Sequence, residues 1–186
     1  MSCGEKSKEL KNDLKNTKNV LEAAVEVAND GENMKKNIQD LRTKTPLTKD
    51  QWQTWLPETL LDMPMTFSQI NFMPGIGSCG AFYKVGNKRI RVMVIDGAGK
   101  RGAGVVGPYR MSNKIEYNEE GIWGATKTIE IDGHKAKLSS LKSGKNSISM
   151  FYDNRFAVDI ETNEVEEHDA LYKIFRKLNL EQLNNL

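Results

Sequence analysis

The sequence predicts an α+β fold: an antiparallel meander sheet of about six to eight strands, a C-terminal helix on one face, and a helical segment in front. Three observations carry this reading. Two β-prone runs, residues 81–85 and 88–95, flank Gly86-Asn87, and a two-residue Gly-Asn step is a strong hairpin signal because both residues tolerate the positive φ of tight turns. Further runs of period two follow, divided by Asp132-Gly133 and Ser143-Gly144, and successive hairpins imply an antiparallel sheet with one covered face. Finally, no aromatic residue precedes Trp52, so the front of the chain is poorly equipped to build a core. The chain therefore divides into a polar helical front, residues 1–45, and a globular part, residues 46–186.

The first hairpin makes the sharpest assignment. With Gly86-Asn87 as the turn, Val85 pairs with Lys88, Lys84 with Arg89, Tyr83 with Ile90, Phe82 with Arg91 and Ala81 with Val92. Side chains alternate across a strand, so Ala81, Tyr83, Ile90, Val92 and Val94 share the core face, and Phe82, Lys84, Arg89 and Arg91 the other. Phe82 opposite Arg91 suits a cation–π contact. Lys84 opposite Arg89 is a like-charge pair that needs an acid nearby. Either a neighbouring strand supplies it, with Asp159 and Glu161 the candidates, or the basic face is an anion-binding patch.

The remaining elements follow in order. Leu10, Leu14, Thr17, Leu21, Ala24 and Ala28 recur at spacings of four and three, a coiled-coil-like stripe. Asn29-Asp30-Gly31 interrupts it, and Met34, Ile38 and Leu41 resume it in a shifted phase. A helical hairpin and one kinked helix both fit, serving as a stalk, as a helix packed on the domain, or as an oligomerisation surface. Thr48 with Gln51 has capping-box spacing, which starts a short helix that stops before Pro57, with Trp52 and Trp55 on one side as a lid on the core. A further helical turn is expected at 58–61. Strands are expected at 67–73, 80–85, 88–95, near 114–117, and at 125–131, 134–141, 147–153 and 156–162. A closing helix at 165–178 carries Leu171, Ile174, Phe175 and Leu178 along one side.

Composition narrows the function classes. A net charge of +2 over 186 residues argues against strong nonspecific nucleic-acid binding, and no run is long and apolar enough to span a membrane. Two cysteines, Cys3 and Cys79, make neither a disulfide framework nor a zinc site.

Gly97-Ala98-Gly99-Lys100-Arg101-Gly102 matches G-x-G-x-x-G after a strand ending at Asp96, yet Gly104, Gly107 and Pro108 shorten any helix that would meet a pyrophosphate, and hairpins follow. The spacing after Lys100 is not that of a P-loop. The 97–107 stretch reads as a flexible crossover, or alternatively as a recognition loop in which Lys100 and Arg101 meet an anion. Asp96, Lys100 and Arg101 are the candidates if the protein is a small enzyme. His134 follows a tight turn, and His168 opens the last helix beside Glu166 and Glu167, without metal spacing. Cys79 reads as a small buried residue rather than a nucleophile. No catalytic set, metal or cofactor is expected.

At the start, Ser2-Cys3-Gly4 and the charged run after it resemble the junction of a bacterial lipoprotein, over residues 2–10. The apolar segment upstream that would complete the pattern is not part of this sequence. The resemblance implies that Cys3 carries acyl chains and anchors the protein to a membrane leaflet in the cell envelope, outside the cytoplasm, periplasmic or at the surface. The function expected is non-enzymatic binding of a partner or small ligand. The alternatives are a small enzyme or anion-binding module built on the 97–107 loop, and a structural protein that oligomerises through its N-terminal helix.

Overall fold

The computed structural model describes Lys18, Val20, Leu21, Val25 and residues 31–165 and 169–186. Most of the stripe from Leu10 to Ala28 lies outside the described residues, as does His168.

Helix α1 (Gly31–Thr43) leads through a short connection into α2 (Lys49–Trp55). The capping box forms as expected: the Thr48 backbone N–H donates to Gln51 Oε1 at 2.8 Å, and the Gln51 N–H to Thr48 Oγ1 at 3.3 Å. Then come β1 (Thr59–Leu60), β2 (Met63–Ile70), β3 (Ser78–Val85) and β4 (Lys88–Asp96). Two short helices follow, α3 (Gly99–Val105) and α4 (Gly107–Ser112). The second group of strands is β5 (Asn118–Gly121), β6 (Gly124–Ile131), β7 (His134–Leu141), β8 (Lys145–Tyr152) and β9 (Phe156–Asn163). Helix α5 (Ala170–Leu178) and a 3-10 turn (Leu180–Asn185) complete the chain.

The nine strands among the described residues join one antiparallel sheet in the order β1-β2-β3-β4-β9-β8-β7-β6-β5. Two meanders are thus stitched together where β4 meets β9, at the centre. The first hairpin has the expected register, from Ala81 opposite Val92 to Val85 opposite Lys88. Its core face is fully inside, with Ala81, Tyr83, Ile90, Val92 and Val94 each at most 1% exposed.

Five expectations need correction. There are nine strands rather than six to eight, and 59–60 is an edge strand where a helical turn was expected, because Leu60 is drawn into the core beside Met63. The 97–107 stretch is helical, not a flexible crossover. The last helix begins at Ala170, and left-handed Asn179 ends it. The sheet is also covered on both faces. On one, Trp52 and Trp55 of α2 and Leu171, Ile174, Phe175 and Leu178 of α5 join the main core. On the other, Leu41 of α1, with Ala103 and Val106 around α3, packs on Ile95, Phe151 and Ala157. Gly31–Thr43 is therefore docked on the globular body through Leu41, with Ile38 beside it.

Candidate functional site

The β8–β9 turn is where the second layer meets the sheet. Asp153 and Asn154 both take positive φ, 47° and 54°, the conformation that short polar side chains tolerate best in a two-residue hairpin. This turn delivers Arg155 to Asp96. Arg155 Nε and Nη2 donate to Asp96 Oδ1 and Oδ2, each at 2.8 Å. The Leu47 and Ala98 backbone N–H groups donate to the same carboxylate, each at 2.9 Å. Asp96 is completely buried, so a carboxylate taken out of water here needs all four donors. The guanidinium lies over the Phe156 ring at 4.8 Å. The glycines serve this knot: a Cβ on Gly97 would meet the Arg155 carbonyl oxygen at 2.5 Å, and one on Gly102 the Asp96 carbonyl oxygen at 2.5 Å. Close backbone packing accounts for the first and last glycines of the G-x-G-x-x-G pattern, and Gly99 between them takes a positive φ of 80°.

A second arginine lies across the same turn. Arg110 of α4 is 8% exposed, and its guanidinium sits over the Phe151 ring at 4.9 Å. Its Nη2 donates to Asn37 Oδ1 of α1 at 2.8 Å, and Asn37 Nδ2 donates to the Asn154 carbonyl oxygen at 3.0 Å. The Asn37 amide is oriented by these two bonds, since only its oxygen can accept from the guanidinium. Arg110 Nε is buried and has no hydrogen-bond partner among the described residues. Burial pulls the Arg110 pKa below its ordinary value. A cleft of about 280 Å³ opens here between α1 and α4, lined by Arg110, Lys114, Met34, Met111 and three asparagines, Asn33, Asn37 and Asn154. Comparison with known proteins finds no family model, no curated protein and no solved structure that matches this chain.

The residues singled out in the sequence lie elsewhere. Lys84 and Arg89 are exposed on the hairpin, and Arg91 donates to Glu161 at 3.1 Å. Lys145 reaches the same Glu161 oxygen at 2.8 Å. Glu161 thus pairs with Arg91 of the basic face, while Asp159 accepts from the Tyr109 hydroxyl instead. Burial, and then that contact, push the Tyr109 pKa up. Phe82 packs on Phe67, ring centroids 6.1 Å apart, rather than on Arg91. Lys100 and Arg101 are exposed on α3, and Arg101 Nη1 donates to the Pro74 carbonyl at 3.1 Å. With Asp96 turned inward and bound to Arg155, the three do not assemble one site. Cys79 is buried and its thiol is pushed up to about 12 by desolvation, the opposite of an activated nucleophile. His134 packs on Tyr152, 4.3 Å between ring centroids. Cys3 lies outside the described residues.

Arg110, Asn37 and Asn154 were not found from the sequence. The one local signal was Asp153-Asn154 between two alternating runs, which marks a turn but not what the turn touches.

Proposed function

We propose that this chain is a lipid-anchored protein of the cell envelope that binds a small ligand in the cleft between α1 and α4 and performs no chemistry on it. The cleft is the observation that carries the reading. Its lining offers charge and hydrogen bonds through Arg110, Lys114 and three asparagines, and apolar contact through Met34 and Met111. The described lining holds no histidine, cysteine or carboxylate, so the surface suits holding rather than turnover. Ser2-Cys3-Gly4 supports the anchor through its resemblance to a lipoprotein junction.

Native mass spectrometry on the gene product, expressed with its own upstream sequence and taken from the membrane fraction, tests both halves. The expected result is acyl mass on Cys3 that survives denaturation, together with a smaller non-covalent mass that denaturation removes and that Arg110→Met lacks. A soluble, unacylated chain with no bound mass would overturn the proposal.

A further inference from the structure

We infer that the ligand of the Arg110 cleft is a small organic carboxylate, its carboxylate paired with the Arg110 guanidinium and its apolar part against Met34 and Met111. The inference rests on the binding role proposed above and names the chemical class.

A buried guanidinium cannot relieve its charge by giving up its proton at physiological pH. It therefore needs an acid partner or several neutral acceptors. Among the described residues, Arg110 has one side-chain acceptor, the neutral Asn37 Oδ1, and the Phe151 ring. The described residues that line the cleft include no carboxylate. Among the described residues, no carboxylate answers Arg110.

The molecule also shows what its buried arginines accept. Arg155, stacked on Phe156 as Arg110 is on Phe151, holds a carboxylate through Nε and Nη2 together. In Arg110 the corresponding Nη2 is bonded to an amide oxygen, and Nε has no partner among the described residues. A planar carboxylate accepts two parallel bonds from an edge of a guanidinium. The asparagine amides give secondary donors, and a volume of about 280 Å³ is at the small end for a ligand site, which suits a metabolite rather than a peptide. Two methionines on the wall favour an acid with an apolar body, since their thioether chains adapt to irregular apolar shapes.

Methionine-methyl NMR tests this on the full chain, with Met34 and Met111 assigned by substitution. The probes are sodium benzoate and sodium hexanoate, the corresponding neutral amides, and inorganic phosphate. The expected result is saturable movement of the Met34 and Met111 resonances with the two carboxylates, binding at least about tenfold weaker for the amides, and loss of the response in Arg110→Met. Arg110→Lys, which keeps the charge and loses the fork, should weaken carboxylate binding as well and guards against a variant that does not fold. Equal or tighter response to phosphate or to the amides would overturn the carboxylate assignment and leave the binding role standing. No response of these two methyls to any probe, with folded wild-type protein, would overturn both.

Discussion

Two arginines lie near one hairpin turn and differ in their partners. Arg155 and Arg110 both sit over a phenylalanine ring, at 4.8 and 4.9 Å, and both are mostly out of water. Arg155 is paired with a buried carboxylate that also accepts two backbone N–H groups. Arg110 has an amide oxygen and an aromatic face. The first arrangement is a closed unit, and it ties the linker before α2, the end of β4 and the β8–β9 turn into one piece. The second is a cation held in place at the wall of a cleft. The satisfied buried charge belongs to the architecture, and the proposal is that the under-satisfied one at Arg110 marks a binding place.

The comparison can be broken from either side. The largest effect is expected at Asp96. Asp96→Ala strands the Arg155 guanidinium and two backbone N–H groups, and should cost about 3–5 kcal/mol in denaturant unfolding. A loss under about 1 kcal/mol would mean that the knot contributes little. The smallest effect is expected at the third charged cluster, where Glu161 lies between Arg91 and Lys145 and both cations are 42% exposed. Glu161→Gln should cost about 0–1 kcal/mol and the difference should shrink in high salt, because water already screens this group. A salt-independent cost like that of Asp96→Ala would show that burial is not what separates the two clusters.

The parts legible in the sequence were those set by near neighbours. The 81–92 register followed from a two-residue turn, because the turn fixes which residues can face each other. Strand β7 has the expected bounds, and Thr48 and Gln51 formed their cap within one turn of helix. What stayed hidden depends on distant residues. Asp96 and Arg155 are 59 positions apart, and Asn37 and Arg110 are 73 apart, so neither pair leaves a local pattern. The 97–107 stretch misled for a different reason. Glycine is a poor helix former, and a glycine-rich segment reads as a loop. Here Gly97 and Gly102 are glycine because a Cβ would strike a carbonyl oxygen, and the packing that demands them also holds the helix. The basic residues Lys84, Arg89 and Arg91 were visible by composition, yet the candidate site uses an arginine that is buried.

The most direct test compares Arg155→Met with Arg110→Met in the same denaturation experiment. Both remove a stacked guanidinium and leave an apolar chain of similar length. If Arg155 belongs to the fold and Arg110 to a ligand, Arg155→Met leaves Asp96 charged and buried and loses about 3–5 kcal/mol, whereas Arg110→Met stays within about 1 kcal/mol of the wild type or gains stability. Equal losses in the two variants would contradict this, and would make Arg110 a second structural arginine.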